Sequence, residues 1–185
     1  GEPVRGRSFE HWNFYDSLRN MGHSLTYFDY MGVIGELGKD GMNKELRLTV
    51  ERLRPDVVFV VLFEDQLDPE TLLRISRETD AVTVTWFCDD QWRFDGMSKF
   101  YAPCFDWSIT TANSALPKYA EIGYERVIKT QWAANHFLYT PSATAVAYDV
   151  TFIGMAHGYR PLTMKRLVDA GLKVGVWGTG WPMGR

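Results

Sequence analysis

Two adjacent carboxylates, Asp89 and Asp90, follow an apolar stretch and stand between Trp86 and Trp92. A carboxylate stripped of part of its hydration has a raised pKa and can take a proton from a hydroxyl, which makes both acids candidates for a general base. Trp92 beside them offers a flat apolar face to a polar substrate. The same pattern fits two ordinary loop acids, one capping the next helix and the other paired with Arg93. Arg5, Gly6 and Arg7 set two cations around a glycine just ahead of a helix start at Ser8, a place where free N–H groups favour an anionic substrate group or form a plain exposed cap. Asn135 and His136 lie between Trp132 and Phe137, a polar pair suited to lining a cleft, although a lone histidine is commonly structural. Gly154, His157, Gly158 and Arg160 form a glycine-rich turn running into a helix with Pro161 at its start. That is a possible cradle for a donor diphosphate, with Arg160 reaching a phosphate oxygen.

Other signals are weaker. The turn before Pro161 lacks the Gly-Lys-Ser/Thr ending of a P-loop. Gly178-Thr179-Gly180 departs from a dinucleotide fingerprint, with its next glycine at 184 and Pro182 intruding. Asp89-Asp90 is not an Asp-x-Asp motif, no third acid stands at ligand spacing, and the histidines are scattered, so no metal site is expected. Cys88 and Cys104 are the sole cysteines, without Cys-x-x-Cys pairing, and read as reduced core thiols.

These residues need a scaffold, and helical and strand patterns alternate along the chain. The spacing predicts a helix from Phe9 to about Met21, a strand at 23–29 and a flexible loop marked by Gly32, Gly35, Gly38 and Gly41. A helix at 43–53 follows, then an apolar strand at 57–62 expected to be central in its sheet. Asp68-Pro69-Glu70 opens a helix to about Thr79, and 81–87 is the next strand. A short helix at 95–101, a strand at 107–111, a helix capped by Asn113 and a short strand at 126–128 complete a doubly wound parallel α/β domain. Three domain segments are expected: 1–139, a small-residue linker at 140–147, and 148–185 as the start of a second, incomplete domain. The strand expected ahead of Glu2 is missing from the sequence. The chain therefore reads as part of a longer protein.

Composition narrows the classes. Among 185 residues, 45% are hydrophobic and 23% charged, which suits a packed core. A net charge of -3 with no basic face argues against nucleic acid as a partner. The longest apolar run is far short of the roughly 20 residues that span a bilayer, and no secretory signal opens the chain. A cytoplasmic protein without a transmembrane segment is the expectation.

The stretches Val150 to Arg160, Leu167 to Val174 and Val176 to Pro182 resemble the start of the C-terminal domain of CgeB-like glycosyltransferases, of the two-Rossmann-domain GT-B class. Trp86 to Asp90, and Trp132 to Asn135 through Pro141, look like that family's N-terminal half and its approach to the hinge. The resemblance implies a nucleotide-diphosphate sugar bound mainly by the second domain and a glycosyl acceptor facing the first. It also implies that an acidic motif holding the donor ribose would lie beyond Arg185. The donor is a substrate, and no further cofactor is implied. A non-catalytic sugar- or nucleotide-binding module with the same fold is the competing reading. A nicotinamide oxidoreductase fits less well, because no proper Gly-x-Gly-x-x-Gly is present.

Overall fold

The computed structural model describes residues 8–182. The chain divides into two compact units, at Thr140 and Pro141. In the first, four parallel strands stand in the order β1-β2-β3-β4: Val57–Val61, Val82–Phe87, Trp107–Thr110 and Val127–Lys129. A right-handed crossover between successive parallel strands places its helix on one fixed side, so an order that never reverses puts every crossover helix on the same face. Burial follows that rule. The face carrying Val60, Thr83, Thr85, Phe87, Ser108 and Thr110 is closed off from water. Against it pack α2 (Tyr30–Leu53), α3 (Pro69–Glu78) and α6 (Leu116–Glu121), through Met42, Leu46, Leu72, Ile75 and Tyr119. Each such large side chain contributes about 1.5–3 kcal/mol by leaving water.

The opposite face is covered in part. Phe9 starts a helix in which His11–Tyr15 forms a wide π turn before α1 (Asp16–Asn20). From it, Phe14 reaches Phe59 at 5.3 Å and Trp86 at 4.9 Å. Elsewhere on this face Val57, Val82, Trp107 and Ile128 remain exposed. The unit is therefore a Rossmann-like parallel α/β sheet wound on one side by its crossovers, where a doubly wound sheet was expected.

Four expectations about elements are corrected. Residues 23–29 form no strand: their backbone joins no ladder and lies outside helix and strand as far as Asp29. The glycine-marked segment is helical, not a loop. Asp29 accepts the Gly32 N–H at 3.1 Å, Val33 and Ile34 pack on the core, and α2 bends at Gly38, whose φ of 71° a residue with a Cβ seldom adopts. The apolar strand β1 is not central: it pairs with β2 alone, at an edge of the described sheet. Its uniform hydrophobicity reflects cover on both faces, with Val58 and Val60 toward the helices and Phe59 under Phe14. The helix foreseen at 95–101 begins earlier, as α4 (Asp90–Arg93), and continues through a π turn at Phe94–Ser98 into α5 (Lys99–Tyr101).

The second unit holds a two-stranded parallel sheet, β5 (Val150–Ile153) and β6 (Val174–Trp177), joined by α7 (Arg160–Asp169). Asp149 closes its base by accepting the Lys173 N–H at 2.7 Å. Among the described residues no helix is long and apolar enough to cross a membrane.

Candidate functional site

The turn that leads from the carboxyl end of β2 into α4 (Asp90–Arg93) separates the two adjacent acids. Asp90 opens α4 and turns inward, where it is 1% exposed. One of its oxygens accepts the Ser98 hydroxyl and the other accepts Tyr119 Oη at 2.7 Å. Burial, then the charge of Asp90 and the hydrogen bond to it, drive the Tyr119 hydroxyl far above its ordinary pKa, so it stays a donor. Asp89 stands at the N-cap position with its carbonyl accepting from the Trp92 and Arg93 amides. Its half-buried carboxylate caps nothing and accepts Gln91 Nε2 at 3.4 Å. Trp92 is exposed, with the Arg93 guanidinium 5.5 Å from its ring. Arg93 pairs with neither acid: it donates to the Phe63 carbonyl. Cys88 faces the same loop, and burial followed by the charge of Asp89 pushes its thiol up to about 11.

Asn135 is buried through bonds that span the chain. Its side-chain amide donates to the Trp12 carbonyl at 2.7 Å, its Oδ1 accepts the Phe137 amide, and its own amide donates to Asn13 Oδ1. These contacts clamp the segment onto the π turn. His136 points to solvent and lies on the Phe137 ring at 4.0 Å. The neighbouring Trp132 reaches back to Trp86 at 5.2 Å, so this segment meets the end of β2 through its aromatic side chains.

In the second unit the turn after β5 is held by the turn after β6. The Gly154 amide donates to the Trp177 carbonyl at 2.8 Å, its carbonyl accepts Trp181 Nε1, and the Ala156 amide donates to the Thr179 carbonyl. A Cβ on Gly178 would lie 2.3 Å from the Gly154 carbonyl oxygen, so the Gly178-Thr179-Gly180 stretch serves close approach between the two loops. His157 and Gly158 are exposed, the latter with a φ of 58°. Arg160 leads α7. Its guanidinium donates to the Met155 carbonyl at 3.0 Å and lies 5.4 Å from the Phe152 ring, within the turn it was expected to serve. Arg5, Gly6 and Arg7 lie outside the described residues.

Asp89, Asp90 and Trp92 thus share the start of α4, Asn135 and His136 a second segment of the same unit, and Gly154, His157, Gly158 and Arg160 the turn and helix start of the other unit. The cluster of Phe9, Phe14, Trp86 and Trp132 was not legible as a unit. A regular helix presents Phe9 and Trp12 on one face, but the π turn adds a residue and directs Phe14 at the sheet instead. No group of three or more metal-ligating side chains is gathered among the described residues. Comparisons with protein-family models, with curated proteins and with solved structures give no match.

Proposed function

We propose that the chain belongs to a glycosyltransferase that moves a sugar from a nucleotide-diphosphate donor to an acceptor hydroxyl. The observation that carries this reading is the turn from Gly154 to Arg160, which joins a parallel strand to a helix opening with a cation and a proline. Backbone N–H groups at such a helix start, with the Arg160 guanidinium, suit a leaving diphosphate, where negative charge grows during transfer. To serve it, Arg160 exchanges its bond to the Met155 carbonyl for one to phosphate.

In the first unit the base falls to Asp89. It keeps access to solvent, whereas Asp90 is sealed behind Tyr119 and Ser98 and is better suited to hold α4 against α6. An Asp89 carboxylate beside the exposed Trp92 would deprotonate the acceptor hydroxyl as it attacks the anomeric carbon. Neither role calls for a metal ion.

A non-catalytic sugar- or nucleotide-binding module is the second reading, favoured by the engagement of both Asp90 oxygens and of Arg160 within the protein. Titration of the chain with uridine, guanosine and thymidine diphosphate sugars, followed by assays of sugar release and transfer, separates the two. Donor binding with turnover supports transfer. Binding without turnover supports the module, and no binding at all refutes both.

A further inference from the structure

Trp86 is nine-tenths buried, yet its indole Nε1–H meets no acceptor among the described residues. The rings packed against it are Phe14, at 4.9 Å between centroids, and Trp132, at 5.2 Å. Neither can accept in its plane, since a phenyl ring has no lone pair and an indole nitrogen only donates. Buried donors are nearly always satisfied, because an unmade bond forfeits the hydration that was lost.

The side chain over Trp86 is held by ring contacts, to Phe9, Phe14 and Trp86, from an open stretch of chain. Trp132 is 43% exposed, and residues 131–134 are exposed and outside helix and strand. Anchors stand on either side: the Thr130 amide on the Thr110 carbonyl, and Asn135 on the π turn. An aromatic ring on an irregular span between two fixed points can swing away without unmaking a ladder.

We propose that Trp132 is a lid lying in a ring-sized subsite, and that a sugar ring displaces it. The sugar sets its C–H face against Phe14 and accepts the Trp86 N–H through a hydroxyl oxygen. The Phe14 and Trp86 rings that remain once Trp132 leaves are tilted by 59°, so they form no parallel-walled slot for a flat base. A pyranose presents C–H groups on both faces and oxygens around its rim, which suits a tilted aromatic wall beside one orphan donor. The choice of a sugar rests on the transferase reading above.

The test labels the chain with 5-fluorotryptophan and follows its seven tryptophans by fluorine NMR. Glucose, galactose, mannose, N-acetylglucosamine and their common disaccharides are titrated in turn, with uridine as the base control. The Trp86 and Trp132 resonances should shift together and saturate with at least one sugar. Trp86→Phe keeps a ring but removes the donor, and should weaken binding roughly two- to twelvefold. Trp132→Ala removes the competing lid and should tighten binding. A shift of Trp86 by uridine but by no sugar overturns the proposal, as does no shift at Trp86 with any sugar. Unchanged affinity in a folded Trp86→Phe chain also overturns it. If that variant fails to fold, the wild-type titration decides alone. Sugar binding at Trp86 without any transfer upholds the subsite and refutes the transferase, while transfer with Trp86 undisturbed refutes only the subsite.

Discussion

Replacing Tyr119 by Phe removes one oxygen and tests the assignment of Asp90 to the scaffold. Both residues are 1% exposed, and Tyr119 Oη donates to the carboxylate at 2.7 Å. A hydrogen bond to a charged group contributes about 1.5–3 kcal/mol, and here no water can readily replace it. The ring of Tyr119 keeps its edge contact with Phe94, with centroids 4.8 Å apart, so packing loss is small beside the polar loss. Tyr119→Phe should therefore lower the unfolding free energy by about 1.5–3 kcal/mol, and the melting temperature by roughly 3–12 °C for a chain of this size. Urea unfolding followed by far-UV circular dichroism measures the first quantity and a thermal scan the second. The pH dependence gives an independent check. The hydroxyl pKa of Tyr119 is raised in the fold, so its contribution is fully present below the unfolded value near 10 and is lost as pH rises beyond it. The wild type should lose stability above about pH 10 more steeply than the Phe variant does. A loss below about 0.5 kcal/mol at neutral pH would show that the bond is not made, and would return Asp90 to the list of available bases.

Asp89→Asn should lower turnover with donor affinity unchanged, and Asp90→Asn should lower stability first; single-turnover rates and donor titrations on folded variants check this, and wild-type turnover in Asp89→Asn removes it as the base. Asp106 is held below the usual carboxylate range, because bonds from the Thr83 amide and hydroxyl and from Ser76, with Arg126, together outweigh its burial. Its stabilisation is present above the unfolded pKa and disappears as pH falls through the lower folded value, so Asp106→Asn should flatten the acid end of the stability curve in urea titrations at stepped pH. The Cys88 thiol, pushed up to about 11, should react with a maleimide at pH 8 far more slowly than a free thiol, and a rate equal to glutathione's would contradict its buried setting. Asn135→Ala unmakes the clamp to Trp12 and Phe137 and should cost about 1–3 kcal/mol in urea unfolding.

The parallel α/β alternation was legible because Val57–Val61 is an apolar run, because Val82–Phe87 is built of β-branched and aromatic residues, and because Pro69 and Pro161 mark helix starts. What misled was local composition that tertiary contacts override. Four glycines spaced by three suggested a loop, yet Asp29 caps the segment and Val33 and Ile34 hold its first turns on the core. Residues 23–29 read as a strand, but a strand exists only where a neighbour offers a ladder. The sequence likewise marked Asp89 and Asp90 as a pair. It could not say which faces inward, because that depends on where β2 ends and α4 begins, and helix boundaries shift with packing by a residue or two.

Strand order bears on where a ligand can sit in the first unit. In open parallel sheets the binding crevice forms where the order reverses, because loops on either side of that point part to opposite faces. The described strands run 1-2-3-4 without reversal, so their loops all leave toward the face carrying α3 to α6, and no crevice opens between neighbours. The space beyond the carboxyl end of the other face is bounded instead by the helix from Phe9 and the segment around Trp132, which meet over Trp86. Asp89, three residues past Trp86, leaves the same strand end. A ligand bound by this unit is therefore directed to the aromatic face, where the orphan Trp86 donor stands, rather than to the sealed pocket of Asp90.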